Sequence, residues 1–223
     1  MTDQASSILN GKKLSILGDS YSTFAGHVPD SCYVFYPLNI VPDVARVEDT
    51  WWHQLAHRTG MRLLSNNSSS GTTICTTVRP EHRREDAFVC RMKQTLSAKG
   101  VQGEKPDVIL LFGGTNDSWI DVPLGAFQYE HWTDEDLQSF LPAFCYMLHY
   151  VLAENPGAAV LSIINTDMKP EIVQGMREAC AHYGVPCLVL RDIDKAYGHP
   201  TQVGMAQIAD QVEDALIALF SQP

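Results

Sequence analysis

The run Asp107-Val108-Ile109-Leu110-Leu111-Phe112 constrains this chain more than any other stretch of it. Five apolar residues follow one another with no polar alternation, so a strand made from them must be covered on both faces. Pro106 precedes the run and Gly113-Gly114 ends it. A strand buried on both sides belongs to a parallel sheet, and each parallel pair needs a crossover, usually a helix. The rest of the chain supplies these pieces in alternation. Leu14 to Leu17 reads as a first strand ending at Gly18-Asp19, and Arg62 to Ser65 as a second; Ala159 to Ile164 and Cys187 to Leu190 follow the central one. Helical spacing covers Trp51 to Arg58 (stopped by Gly60), Leu137 to Leu152, Glu171 to His182 and about Gly204 to Phe220. Thr133 with Asp136 can cap the second of these, and Pro142 should kink it or mark a late start. The pattern predicts a three-layer α/β/α sandwich on a five-stranded parallel sheet. No repeat or linker divides residues 1–223, which read as a single domain.

Bulk properties exclude more than they select. Apolar residues make up 45% of the chain and charged residues 19%, a globular balance. The formal net charge of −10 repels phosphate backbones and argues against nucleic-acid binding. No apolar run approaches the roughly 20 residues of a membrane span. The start, MTDQASSILNGKK, lacks the basic and apolar regions of a signal peptide, so a cytoplasmic location is expected. The six cysteines form no C-x-x-C pair and read as reduced.

In an open parallel sheet, ligands bind beyond the carboxyl ends of the strands. There the chain carries Gly18-Asp19-Ser20-Tyr21-Ser22, then Asn66 to Gly71, then Gly113-Gly114-Thr115-Asn116-Asp117, and finally Asp192 to Thr201, which includes His199-Pro200. Taken singly, each has an ordinary reading: Ser20 as a helix cap, Asn116 as a turn residue, Asp19 and Asp117 as loop-holding hydrogen-bond acceptors. Together, in this order and at these strand ends, they form a set suited to acyl transfer.

This set resembles the SGNH (GDSL) hydrolases, with blocks Gly18-Asp19-Ser20, Gly71, Gly114-x-Asn116-Asp117 and His199-Pro200 spread over most of the chain. The resemblance implies a flavodoxin-like strand order and ester hydrolysis through an acyl-serine intermediate, with no metal or organic cofactor. It assigns Ser20 as nucleophile and His199 as its base, since a serine hydroxyl needs a base to accept its proton. Backbone N–H groups of Ser20 and Gly71 and the Asn116 side-chain amide would hold the oxyanion. Gly71 would let its N–H approach substrate with no side chain in the way. The sequence departs from the pattern at Ala196, where the family usually carries an aspartate three residues before the histidine. Asp194 is the expected substitute for orienting His199, with Asp192, a backbone carbonyl or a bare Ser–His dyad as alternatives.

The less regular stretches 24–50, 72–90 and 117–132 flank this edge, and such loops are commonly functional. Tyr33 to Tyr36 and Trp119 to Trp132 concentrate aromatic residues that suit either pocket walls or mutual packing, and they leave room for a homo-oligomer. Tyr21 and Trp119 are the candidate substrate contacts, and a short-acyl ester of a carbohydrate or other small molecule is the expected substrate. Arg79 to Asp86 reads as a solvated face of mixed charge, or as a place for a substrate anion. His53 and His57 are spaced as metal ligands but lack an acidic third partner, so no metal site is expected. A thioesterase, an acyltransferase and a binding module that kept the fold while losing activity are the competing readings.

Overall fold

The computed structural model describes residues 8–38 and 40–221. Residues 1–7, part of the stretch behind the signal-peptide expectation, lie outside the described residues. Five parallel strands, β1 (Lys13–Gly18), β2 (Arg62–Ser68), β3 (Val108–Phe112), β4 (Ala159–Ile164) and β5 (Cys187–Val189), form one sheet in the order β2-β1-β3-β4-β5. This is the flavodoxin-like order. The crossovers carry α1 (Trp51–Thr59), α2 (Phe88–Thr95), α3 (Thr115–Trp119) with α4 (Phe140–Glu154), and α5 (Pro170–Tyr183), and α6 (Gln202–Phe220) follows the last strand. A two-stranded antiparallel hairpin, β6 (Lys195–Ala196) with β7 (His199–Pro200), precedes α6.

Alternation along β3 shows why its residues had to be continuously apolar. Ile109 and Leu111 join a core with α2, α4 and α5, while Val108, Leu110 and Phe112 join a second core with α1 and α6. Both cores are built of buried apolar side chains, and every β3 side chain is buried. Among the described residues no helix is long and apolar enough to cross a membrane.

Several element boundaries differ from expectation. β2 runs on to Ser68, because Asn66 and Asn67 keep the ladder with Ile16 and Leu17 while their amides bond to the Ser22 and Arg91 carbonyls. α4 begins only at Phe140, with Pro142 in its first turn where the missing N–H costs nothing. Thr133 and Asp136 bond reciprocally, at 2.7 and 3.3 Å, around a separate short 3-10 turn instead of capping α4. The helices α2 and α3 each overlap a stretch read as irregular, 72–90 and 117–132 respectively. Each is at most eight residues long, too short for a clear period.

Candidate active site

The edge at the carboxyl ends of β1 and β3 is the switch point of the sheet, since β2 lies on one side of β1 and β3 on the other. Gly18 ends β1 where a Cβ would lie 2.6 Å from Ser68 Oγ and 2.8 Å from Ser22 Oγ, so only glycine fits. The chain then turns into a 3-10 helix at Ser20–Ser22. Asp19 caps it, accepting the Tyr21 N–H at 3.1 Å. Ser20 is therefore not the cap. Its Oγ lies 3.0 Å from His199 Nε2, across 179 residues of sequence.

His199 is positioned by the hairpin. Tyr197 (φ +52°) and Gly198 (φ +78°) both adopt left-handed conformations, the signature of a type I′ two-residue turn. The turn brings the Tyr197 carbonyl to 3.3 Å from His199 Nδ1. A carbonyl can only accept, so Nδ1 carries the proton and Nε2 presents its lone pair to Ser20. Phe35 stacks on the imidazole with centroids 3.6 Å apart and planes 8° apart. Burial, with Lys195 adding to it and the Tyr197 carbonyl opposing, lowers the His199 pKa to about 4. The ring is neutral at pH 7.

The expectation for Asp194 is corrected by this geometry. Among the described residues no carboxylate lies within ion-pair distance of His199. The Asp194 carboxylate accepts the Thr201 hydroxyl, and its backbone carbonyl accepts the Thr201 N–H at 3.1 Å. Thr201 in turn caps α6 by accepting from the Gly204 N–H. Asp194 thus serves the start of α6, not the imidazole. Asp192 is exposed, in a left-handed conformation (φ +55°). Of the alternatives kept open, the backbone carbonyl is the one the structure places at Nδ1. Ala196 pairs directly with His199 across the hairpin.

Gly71 and Asn116 both line the cavity that holds Ser20 and His199. Gly71 has φ +76°, and a Cβ there would sit 2.4 Å from His82 Nε2. Glycine is demanded by the backbone and by His82, a reason different from the substrate approach expected. Asn116 stands in the first turn of α3 and spends one amide hydrogen on the Thr72 carbonyl at 3.1 Å, leaving the other. Asp117 accepts the N–H groups of Ile74 (2.8 Å) and Cys75 (3.2 Å), holding the loop that carries Gly71. Burial raises its pKa to about 6.

Two expectations on the substrate contacts separate. Trp119 lines the cavity, 41% exposed. Tyr21 does not: it is fully buried, and its hydroxyl donates to the Gly198 carbonyl, tying the hairpin down. Its expected role in substrate binding is corrected to support of His199. Of the aromatic stretches, Tyr33 and Phe35 line the cavity, whereas Tyr129 stacks on His182 and Trp132 packs against Tyr146 and His149.

One structural residue escaped the sequence altogether. Arg91 is buried on α2, donating to the carbonyls of Asp86 (2.7 Å), Gly18 (3.0 Å) and Asn67 and to the Thr72 hydroxyl (3.1 Å). It ties the ends of β1 and β2 to the loop behind Gly71. Burial lowers its pKa to about 10, leaving it a cation at pH 7. An arginine in a helix reads as solvated, and no signal in the sequence marks it otherwise.

The family model for GDSL-like lipase/acylhydrolase matches residues 12–216. Two solved structures, both described as GDSL-like lipases, are similar over nearly their whole length. That from Bacteroides uniformis is 43% identical with a TM-score of 0.84, covering 92% of this chain and 95% of the other. That from Bacteroides ovatus is 40% identical with a TM-score of 0.85, covering 93% and 98%. The M. smegmatis aryl esterase shares the fold, with a TM-score of 0.66 at 16% identity over 94% and 100% of the two chains. Among curated proteins none matches. With a match over nearly its full length and these relatives beside it, the chain belongs to the GDSL-like lipase/acylhydrolase family and is a hydrolase of ester bonds.

Proposed function

We propose that the protein is a serine esterase acting on short-acyl esters of small molecules or carbohydrates, through an acyl-serine intermediate. The observation that carries this reading is the 3.0 Å contact between Ser20 Oγ and His199 Nε2, two residues that line a cavity of ≈ 380 Å³. Ser20 Oγ attacks the ester carbonyl carbon while His199 Nε2 takes its proton, and the oxyanion is held by the N–H groups of Ser20 and Gly71 and the free amide hydrogen of Asn116. Collapse breaks the carbonyl–alkoxy bond, and His199 returns the proton to the leaving alcohol. Water then attacks the acyl-serine with His199 as base, releasing the acid and restoring Ser20. The base is oriented by the Tyr197 carbonyl and the Phe35 stack, without a carboxylate. A carbonyl fixes the tautomer but supplies less charge to the imidazolium than an aspartate would.

The cavity lining, with Ser70, Arg79, Glu81, His82 and Asn116 in it, gives a long alkyl chain little apolar surface and so favours short acyl groups, and exposed Trp119 and Tyr33 offer faces on which a sugar ring can stack. Hydrolysis of 4-nitrophenyl acetate, butyrate and octanoate by wild type and Ser20→Ala tests the reading. Turnover is expected to fall from acetate to octanoate, and Ser20→Ala to lose about 10³-fold or more. Equal rates for the folded wild type and Ser20→Ala on all three would overturn it and favour a specialised acyl donor or a binding role.

A further inference from the structure

Arg79 and His82 stand on a turn closed by the His82 N–H donating to the Arg79 carbonyl at 2.9 Å. Both line the cavity with Ser20 and His199. The turn is held against the site by His82, whose Nε2 sits over Gly71 and whose ring meets Tyr33 edge-on, with centroids 4.5 Å apart. It is held further by the Tyr33 hydroxyl, which donates to the Glu81 carbonyl at 3.3 Å.

The three arginines of this stretch differ in what they face. Arg83 pairs with Asp86 at 2.9 Å and Arg84 with Asp134 at 3.2 Å. Arg79 makes no ion pair among the described residues, and its Nε is buried without a hydrogen-bond partner. His82 Nδ1 is likewise buried and unpartnered. Glu81 also lines the cavity, but among the described residues it forms no ion pair with Arg79. Arg79 as a whole is half-buried, and its terminal nitrogens are not among the buried atoms, so the guanidinium keeps open donors in the cavity that Ser20 also lines. In a chain of net charge −10, a cation without a carboxylate partner at that place is available to an anion.

We infer that Arg79, with His82, forms an anion-recognising subsite, so that the preferred substrate is an ester bearing a carboxylate or similar anionic group. The inference rests on the serine-esterase reading above and deepens it. The guanidinium offers a planar fork of N–H donors that suits a carboxylate, and the partly enclosed cavity strengthens the attraction over its value in water. Glu81 narrows the subsite by repelling anions that miss the fork.

The test compares matched ester pairs that place the charge on either side of the scissile bond. 4-Nitrophenyl succinate against 4-nitrophenyl butyrate puts it on the acyl side, and 4-acetoxybenzoate against phenyl acetate on the alcohol side. Wild type, Arg79→Gln, Arg79→Lys and Ser20→Ala are measured on all four by kcat/KM. In one of the pairs, Arg79→Gln is expected to lower the anionic-to-neutral ratio about 10-fold, the loss of one charge-assisted contact. Arg79→Lys should recover part of that ratio. Because each ratio comes from one preparation, partial misfolding cancels. A ratio unchanged by Arg79→Gln in both pairs, or changed equally by Arg79→Lys, overturns the inference. Neutral-ester turnover that survives in Ser20→Ala overturns instead the reading beneath it.

Discussion

At the scale of single residues, His199 is the group whose environment says most about activity. It is half-buried, stacked on Phe35 and shadowed by Lys195, and among the described residues no carboxylate lies within ion-pair distance to hold a proton on it. A base whose pKa lies near 4 is already unprotonated where an ordinary histidine at about 6.5 is still charged. The acid limb of kcat/KM for a neutral ester is therefore expected near pH 4, not near 6.5. Lys195→Met should move that limb upward, because it removes a positive charge that disfavours the imidazolium. A limb at 6.5 in the wild type, unmoved in the variant, would show that the imidazole is solvated and its surroundings misread. The GDS block and the histidine were legible in the sequence because their residue types, at strand ends and in this order, suit acyl transfer. The stacking of Phe35 on the imidazole and the approach of Lys195 were not, since packing and proximity leave no mark in residue order.

At the scale of elements, the β6–β7 hairpin and the start of α6 form one device. Tyr197-Gly198 turns the chain, Tyr21 and Tyr36 donate to the Gly198 and Pro200 carbonyls, and Asp194 with Thr201 closes the helix start. Gly204 lies so close beneath the Asp194 carbonyl that a Cβ would meet it at 2.0 Å. Asp194 is exposed and bonds to Thr201, so Asp194→Ala should cost about 0.5–1 kcal/mol of stability by loss of a cap-supporting hydrogen bond. Its kcat is expected to stay within about three-fold of wild type, against the roughly 10⁴-fold typical when a triad aspartate is lost. Thermal unfolding and kcat measured on the same sample decide it; a fall of several orders in kcat would restore a carboxylate to the mechanism. The two-residue turn was open to recognition from Tyr197-Gly198 between two residue pairs. A tyrosine with positive φ is uncommon enough that propensity alone discourages the reading.

At the scale of the whole molecule, a parallel sheet between two apolar cores carries ionisable groups at the edge where Ser20 and His199 meet. Asp19, Asp117 and Arg91 are all buried, and burial raises Asp19 to about 7 and Asp117 to about 6. A carboxyl whose folded pKa exceeds its unfolded value keeps its proton in the native state after the unfolded chain has lost it. Stability then falls as pH rises from about 4, the unfolded value, to the folded pKa. His199 acts oppositely between about 4 and 6.5, where the unfolded chain binds the extra proton. Asp19 Oδ1 accepts the Tyr21 N–H and Oδ2 has no partner, so asparagine mimics the protonated acid. Asp19→Asn should match wild type at pH 4 and exceed it increasingly toward pH 7, by an amount on the order of 1–3 kcal/mol after relaxation. Urea unfolding at both pH values checks it, and a constant difference across the range would show that Asp19 is ionised throughout.

What the sequence determined by itself follows from periodicity and from the order of chemical blocks. Continuous apolar character at Val108–Phe112 required a doubly covered strand, and four blocks at strand ends required that Ser20, Gly71, Asn116 and His199 share an edge. Both are consequences of local chemistry repeated at defined intervals. Only the tertiary structure decided that a carbonyl faces His199, that Asp194 serves a helix start, that Tyr21 is buried, and that Arg91 and Arg79 point inward. Each of those depends on which distant groups come to lie within a few ångströms of one another. Partners such as Arg91 and Gly18, 73 residues apart, are matched by shape and hydrogen-bonding need, which no period or motif in the chain encodes.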